Sequence, residues 1–130
     1  MLAAVNTSAT TLTANQIIPV GAVALRTNTD ARMNSGTVEI QRPGVYEVLG
    51  NFSIAATATG PVTVQMQANG TDVPGATATV TATAAETVSL PVQGYVRATP
   101  AATGSTIPIT WVVNAAGTLV NAVTSVKRVI

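Results

Sequence analysis

Apolar and polar residues alternate with period two along most of the chain, and no stretch sustains the 3.6-residue period of an amphipathic helix, so the pattern predicts an all-β domain. In "VYEVLGNFSI", residues 45 to 54, the even positions Tyr46, Val48, Phe52 and Ile54 form one apolar face, with Gly50 leaving a gap among them. The odd positions carry Glu47, Asn51 and Ser53, although Val45 and Leu49 spoil the polarity of that side. In "VTVQMQANGTDV", Val62, Val64, Met66 and Ala68 oppose Thr63, Gln65 and Gln67, and Asn69-Gly70 supplies the two positive-φ residues of a type I′ turn. Further runs place Val38 and Ile40, then Val88, Leu90 and Val92, then Ile107, Ile109, Trp111 and Val113 on one parity. Turn chemistry separates them: "RPG" at 42 to 44, "TGP" at 59 to 61, "VPG" at 73 to 75, "TPAATGS" at 99 to 105 and "AAGT" at 115 to 118. About eight strands are expected, the spacing of a β-sandwich or jelly roll. Pro91 and Pro108 fall inside two runs, which assigns them to edges or bulges where no ladder donor is lost.

Three segments depart from this pattern. "IIPVGAVAL", residues 17 to 25, is apolar on both parities, as a strand buried on both faces would be. It is expected within or beside a subunit interface, through Ile17, Ile18, Val20, Val23 and Leu25. "ATATVTATAAET", residues 76 to 87, would set methyl groups on one side of a strand and hydroxyls on the other, which suits a close-packing surface or a plain solvent-facing strand. The Thr- and Ala-rich residues 1 to 15 are expected to form an extended arm that orders on a neighbouring subunit, with the sandwich running from 16 to 130.

Composition narrows the function. A chain of 130 residues fits one domain. Only 8% of residues are charged, against the usual ~25%, so the surface is mostly neutral and suits burial against partners. A formal net charge of +1 offers no clustered Lys and Arg for nucleic acid or an anionic membrane, and neither is expected as a partner. Cys and His are absent, which removes disulfides and the ligands on which zinc, copper and haem sites depend, and no cofactor is expected. No nucleophile has an activating base. The acids Asp30, Glu39, Glu47, Asp72 and Glu86 are scattered, and Glu39 and Glu47 would pair only if their strands align, so no enzyme activity is expected. Oxygen ligands such as Asn28 and Asp30 could gather a calcium ion, but a solvated loop with local turns accounts for them as well. That loop also holds Arg26, Asp30 and Arg32, the densest charge in the chain, which with Lys127 and Arg128 in the terminal "SVKRVI" are the candidate partner contacts. Tyr95 and Trp111 could stack on a sugar, but Trp111 shares its parity with Ile109 and Val113, and is expected in the core with Tyr46 and Phe52.

The order of these signals resembles the C1q and tumour-necrosis-factor-like jelly roll, through a G-x-Y strand at Gly44 and Tyr46 and an N-G hairpin at Asn69 and Gly70. The opening "NTSATTLTANQIIPVGAV" is similar to short versions in bacteriophage virion proteins and at the tips of bacterial collagen-like surface proteins. The resemblance covers roughly residues 17 to 130. It implies a ten-strand-like sandwich assembling as a homotrimer. A sandwich lined mainly by Ala, Val and Thr points the same way, because it buries less apolar area while the entropy cost of ordering stays as large. The expected function is structural: a trimeric capsid decoration, or cement, protein on the outer surface of a virion, held by the major capsid protein. The alternative is the receptor- or glycan-binding head of a phage fibre or bacterial adhesin.

Overall fold

A computed structural model describes residues 1–27, 30–34, 36–98 and 106–130, and within them the chain forms twelve strands. They are β1 (Leu2–Asn6), β2 (Thr10–Leu12), β3 (Gln16–Ile17), β4 (Ala22–Arg26), β5 (Ala31–Asn34), β6 (Thr37–Ile40), β7 (Gly44–Ala56), β8 (Gly60–Ala68), β9 (Thr71–Ala82), β10 (Thr87–Ala98), β11 (Ile107–Val113) and β12 (Gly117–Arg128). The first sheet has the order β10-β7-β12-β1-β4 with β2 also on β12, and the second has β5-β6-β11-β8-β9 with β3 also on β11. All these pairings are antiparallel. After β6 the chain passes repeatedly from one sheet to the other, the connectivity of a jelly roll.

The strands expected from alternation are present, and their apolar parity is the buried one: Val48, Ile54, Val64, Met66 and Val113 have no exposed surface. The Asn69-Gly70 hairpin is also present, with both residues at positive φ (52° and 79°) between the pair Ala68↔Thr71. In β9 the methyl side, Ala76 and Ala82, is buried, while Thr77, Thr79 and Thr81 face solvent. Pro91 lies on the edge strand β10. Pro108 instead occupies β11, the central strand of its sheet, and is accommodated at the strand's second residue, just before the ladder to β8 begins; its carbonyl accepts from Asn69 N–H at 2.9 Å.

Two expectations for the N-terminal third are corrected. Residues 1 to 15 are not a separate arm: β1 lies between β12 and β4, with Leu2 and Ala4 fully buried, and Leu12 is buried where β2 meets β12. Residues 17 to 25 are not one strand buried on both faces, because Pro19, which has no N–H to donate, separates β3 from β4. Ile18 and Val20 point into the protomer's own core, so they are unavailable to a second chain; Ile18 N–H donates to Trp111 O at 2.7 Å, and Asn6 Nδ2 donates to Pro19 O at 3.0 Å. By contrast, all five residues of β4 are exposed at the edge of the first sheet.

Two of the four aromatic side chains, Phe52 and Trp111, close on one another. Tyr46, Phe52 and Trp111 are completely buried, and the Phe52 and Trp111 rings stand 5.7 Å apart at 56°, a tilted pair. The gap at Gly50 is the space these rings fill: a Cβ there would lie 2.8 Å from Phe52 Cε2 and 3.0 Å from Trp111 Nε1. Elsewhere the core is thin, with seven Ala and eleven Val among the thirty buried apolar residues of the described chain. Among the described residues, two side-chain polar atoms are buried without a hydrogen-bond partner, Trp111 Nε1 and Thr124 Oγ1, and Thr124 stands opposite Gly50 in the β12–β7 ladder.

Candidate assembly interface

Cross-strand register assigns the open side of the first sheet. Residues directly opposite one another in an antiparallel ladder share a face. The ladders therefore align Gln93, Leu49, Ser125, Ala3 and Leu25 in one row across five strands, and Pro91, Asn51, Val123, Val5 and Ala22 in the next. On one side of these rows lies a band of Tyr95, Glu47 and Lys127, and on the other a band of Ser89, Ser53 and Asn121. The two middle rows are mainly apolar, with Gln93, Asn51 and Ser125 as their polar members; Val123 and Leu25 are each about half exposed, at 50% and 49%. Between them lies a depression of about 500 Å³ lined by Leu49, Asn51, Pro91, Gln93, Val123 and Ser125. An exposed patch of this kind on a strand face that alternates with a fully formed core marks a surface suited to burial against another chain.

Only one of the five residues expected at a subunit interface lies on this face. Leu25 lies in it, paired with Ala3. Val23 is exposed on the same edge strand but pairs with buried Ala4, because a bulge between Ala3 and Ala4 turns it toward the other side. Ile17 is exposed on β3, in the second sheet. Ile18 and Val20 are core residues. The residues that sequence reasoning missed are Leu49, Val123 and Val5. Their signal is an apolar residue on the second parity of a strand whose first parity already forms the core.

Charge is segregated. All six cations, Arg26, Arg32, Arg42, Arg97, Lys127 and Arg128, lie in the half of the sandwich that carries Met1 and Ile130, together with Asp30, Glu39, Glu47 and Asp72. Glu86 alone is at the opposite end, where its carbonyl accepts from Ala56 N–H. Within the charged half, the expected partner contacts are partly engaged inside the chain. Arg26 Nε donates to Ala31 O at 3.0 Å and its Nη2 donates to Gln41 Oε1 at 3.4 Å. Arg32 pairs with Glu39 at 3.0 Å, and the Asp30 carbonyl accepts from Gln41 N–H. Arg128 Nε donates to Ile130 O, and Lys127 is exposed. Asn28, the other candidate calcium ligand, and the turn at 99 to 105 lie outside the described residues. Glu39 and Glu47 stand in different sheets, so their strands never align as a carboxylate pair. Trp111 is buried and offers no ring to a sugar, whereas Tyr95 is 59% exposed on β10. Tyr46, beneath the charged end, donates its hydroxyl to Arg42 O at 2.8 Å. Burial raises its pKa above 10.0 and Asp30 adds to the rise, while Arg128 and Arg42 oppose it.

No protein-family model matches the chain, and no curated protein matches it by sequence. Solved structures do share its fold. The chain is similar to the globular domain of the zebrafish complement 1qA protein, with a TM-score of 0.76 and 10% identity over 99% of this chain and 96% of that one. It is similar to the Eiger TNF from S. frugiperda, with a TM-score of 0.70 and 12% identity over 99% and 92% of the two chains. It is also similar to murine APRIL at pH 5.0, with a TM-score of 0.65 and 13% identity over 95% and 96%. The fold is therefore an antiparallel jelly roll of the C1q and tumour-necrosis-factor kind.

Proposed function

We propose that the protein is a non-enzymatic structural protein, a homotrimer closed through the open face of the first sheet, and that the trimer braces the outer surface of a phage capsid by binding the major capsid protein in the virion. The observation that carries the reading is the banded open face: two mainly apolar rows, led by Leu49, Val123 and Leu25, on a sheet whose other side is already packed. A core in which eighteen of the thirty buried apolar residues among the described ones are Val or Ala supports it, because association adds buried area that the protomer lacks. The almost uncharged surface supports a bracing role, since such a surface can be covered on several sides with little desolvation cost.

Native mass by light scattering at micromolar concentration tests the assembly: about 39 kDa is expected, three times the 13.1 kDa chain, and a monomer at every concentration would overturn it. Co-sedimentation with capsids lacking a decoration protein tests the partner. Binding should persist in moderate salt, because few charges are available to screen. If capsids fail to bind and glycan-array signals depend on Tyr95, the receptor-binding alternative replaces it.

A further inference from the structure

The charged band on the open face has a chemistry that the apolar rows do not explain. Glu47 and Lys127 are direct cross-strand partners on β7 and β12, beside Tyr95 on β10, yet they form no ion pair with each other; among the described residues the one salt bridge is Arg32 with Glu39. A charge covered by a second copy of the chain needs an opposite charge, since desolvation without a partner is costly. The composition of the face changes mainly along the strands: a charged band, two mainly apolar rows with Gln93, Asn51 and Ser125 as polar members, then a Ser and Asn band. A rotation axis along the strands brings equal heights together, so the mainly apolar rows meet one another and the charged band meets itself. A two-fold axis perpendicular to the strands would instead set Glu47 and Lys127 against Ser53, Ser89 and Asn121. Band-on-band contact also places a carboxylate and an ammonium of neighbouring copies at one height.

We infer that Glu47 of one copy pairs with Lys127 of the next across the assembly interface, and that this pair fixes the parallel register of the copies. The inference rests on the homotrimer reading above. In a closed ring each copy donates one member of the pair to each neighbour, so a single charge reversal damages every contact. The pair acts mainly as a specificity device, because like charges brought together across a covered interface disfavour the wrong register more strongly than an opposite pair adds affinity.

The test uses the full chain in four forms: wild type, Glu47→Lys, Lys127→Glu, and the double exchange. Circular dichroism checks that each folds, and light scattering gives the concentration at which trimers dissociate. Each single variant should dissociate at a concentration at least about tenfold higher than wild type, and the double exchange should restore assembly. Mixing decides between pairing in trans and pairing within one chain. Glu47→Lys and isotope-labelled Lys127→Glu, each weak alone, should recover mixed trimers by native mass spectrometry, because two contacts in each mixed ring are again opposite in charge. If both single variants assemble like wild type, or if mixing recovers nothing, the inference is overturned while the homotrimer stands. A monomeric wild type overturns the homotrimer and the inference together. Should one single variant fail to fold, the double exchange is compared with wild type: a pair in trans predicts equal dissociation, and weaker assembly of the double exchange overturns it.

Discussion

Replacing Thr124 with Val should stabilise the protein. The Thr124 residue is 1% exposed on the inward side of β12, between buried Ala122 and Val126, and its Oγ1 has no hydrogen-bond partner. Thr and Val have nearly the same shape, so the change opens no cavity and forces no repacking, and Val is at least as well suited to a strand. What changes is the hydroxyl, which the folded state strips of water without replacing the hydrogen bond it loses. An unsatisfied buried group of this kind costs about 1–3 kcal/mol. The Val variant recovers part of that, so a gain of about 1 kcal/mol is expected, or about 3–5 °C in the thermal midpoint for a domain of this size. Scanning calorimetry at matched protein concentration is the assay, because an assembling protein has a concentration-dependent midpoint. Thr118→Val on the same strand is the control; its side chain is exposed, and it should move stability by no more than about 0.5 kcal/mol. A loss of about 1 kcal/mol or more in Thr124→Val would refute the reasoning. It would mean that the hydroxyl is hydrogen-bonded in solution.

Three further changes probe other links. Gly50→Ala should cost about 1–3 kcal/mol by chemical denaturation, since the new methyl meets the Phe52 and Trp111 rings at 2.8 and 3.0 Å. Tyr46→Phe should cost about 1 kcal/mol near neutral pH by removing the hydrogen bond to Arg42 O. It should also alter the alkaline limb. Because the folded-state pKa of Tyr46 is raised above 10.0, the folded wild type holds its proton where the unfolded chain has lost it; stability is complete below pH 10.0 and falls as pH rises past that value and through the folded pKa, a fall that Tyr46→Phe should lack. Val123→Asp should leave the protomer folded, its side chain being half exposed, and abolish the trimeric species in light scattering; a full-strength trimer would remove Val123 from the interface.

What was legible in the sequence follows from side-chain size. In β7, β8, β10 and β11 the inward positions hold Tyr, Phe, Ile, Met, Leu and Trp, and the outward ones are mostly polar, so period two is plain and the parity correct. The same holds for the hairpin, where Asn-Gly is a chemical requirement of the turn. The strands β1 to β5 are two to five residues long, and their inward residues include Ala4 and Ala31, which differ little in hydropathy from outward Ala3 and Val5. Alternation between two small apolar residues carries almost no signal. The apolar run from 17 to 25 therefore reads as a strand buried on both faces, although Pro19 inside it already argues that the ladder must stop there.

The open face was legible in a way that binary patterning disguises. Val45 and Leu49 look like defects in the alternation of β7, and Val123 looks the same in β12 between inward Ala122 and Thr124. Strands β7 and β12 are neighbours in the middle of the first sheet, however, and their outward residues fall into common rows only once the register is known. Leu49 lies beside Ser125, Asn51 beside Val123, and Glu47 beside Lys127. A strand that is apolar on both parities is ambiguous between a mistake in the pattern and a second buried face; two such strands paired in register, with their outward apolar residues clustered at neighbouring heights, remove the ambiguity. The clustering also gives the face a direction, from the charged band at Glu47 to the hydroxyl and amide band at Ser53, and it is this direction that a second copy of the chain has to match.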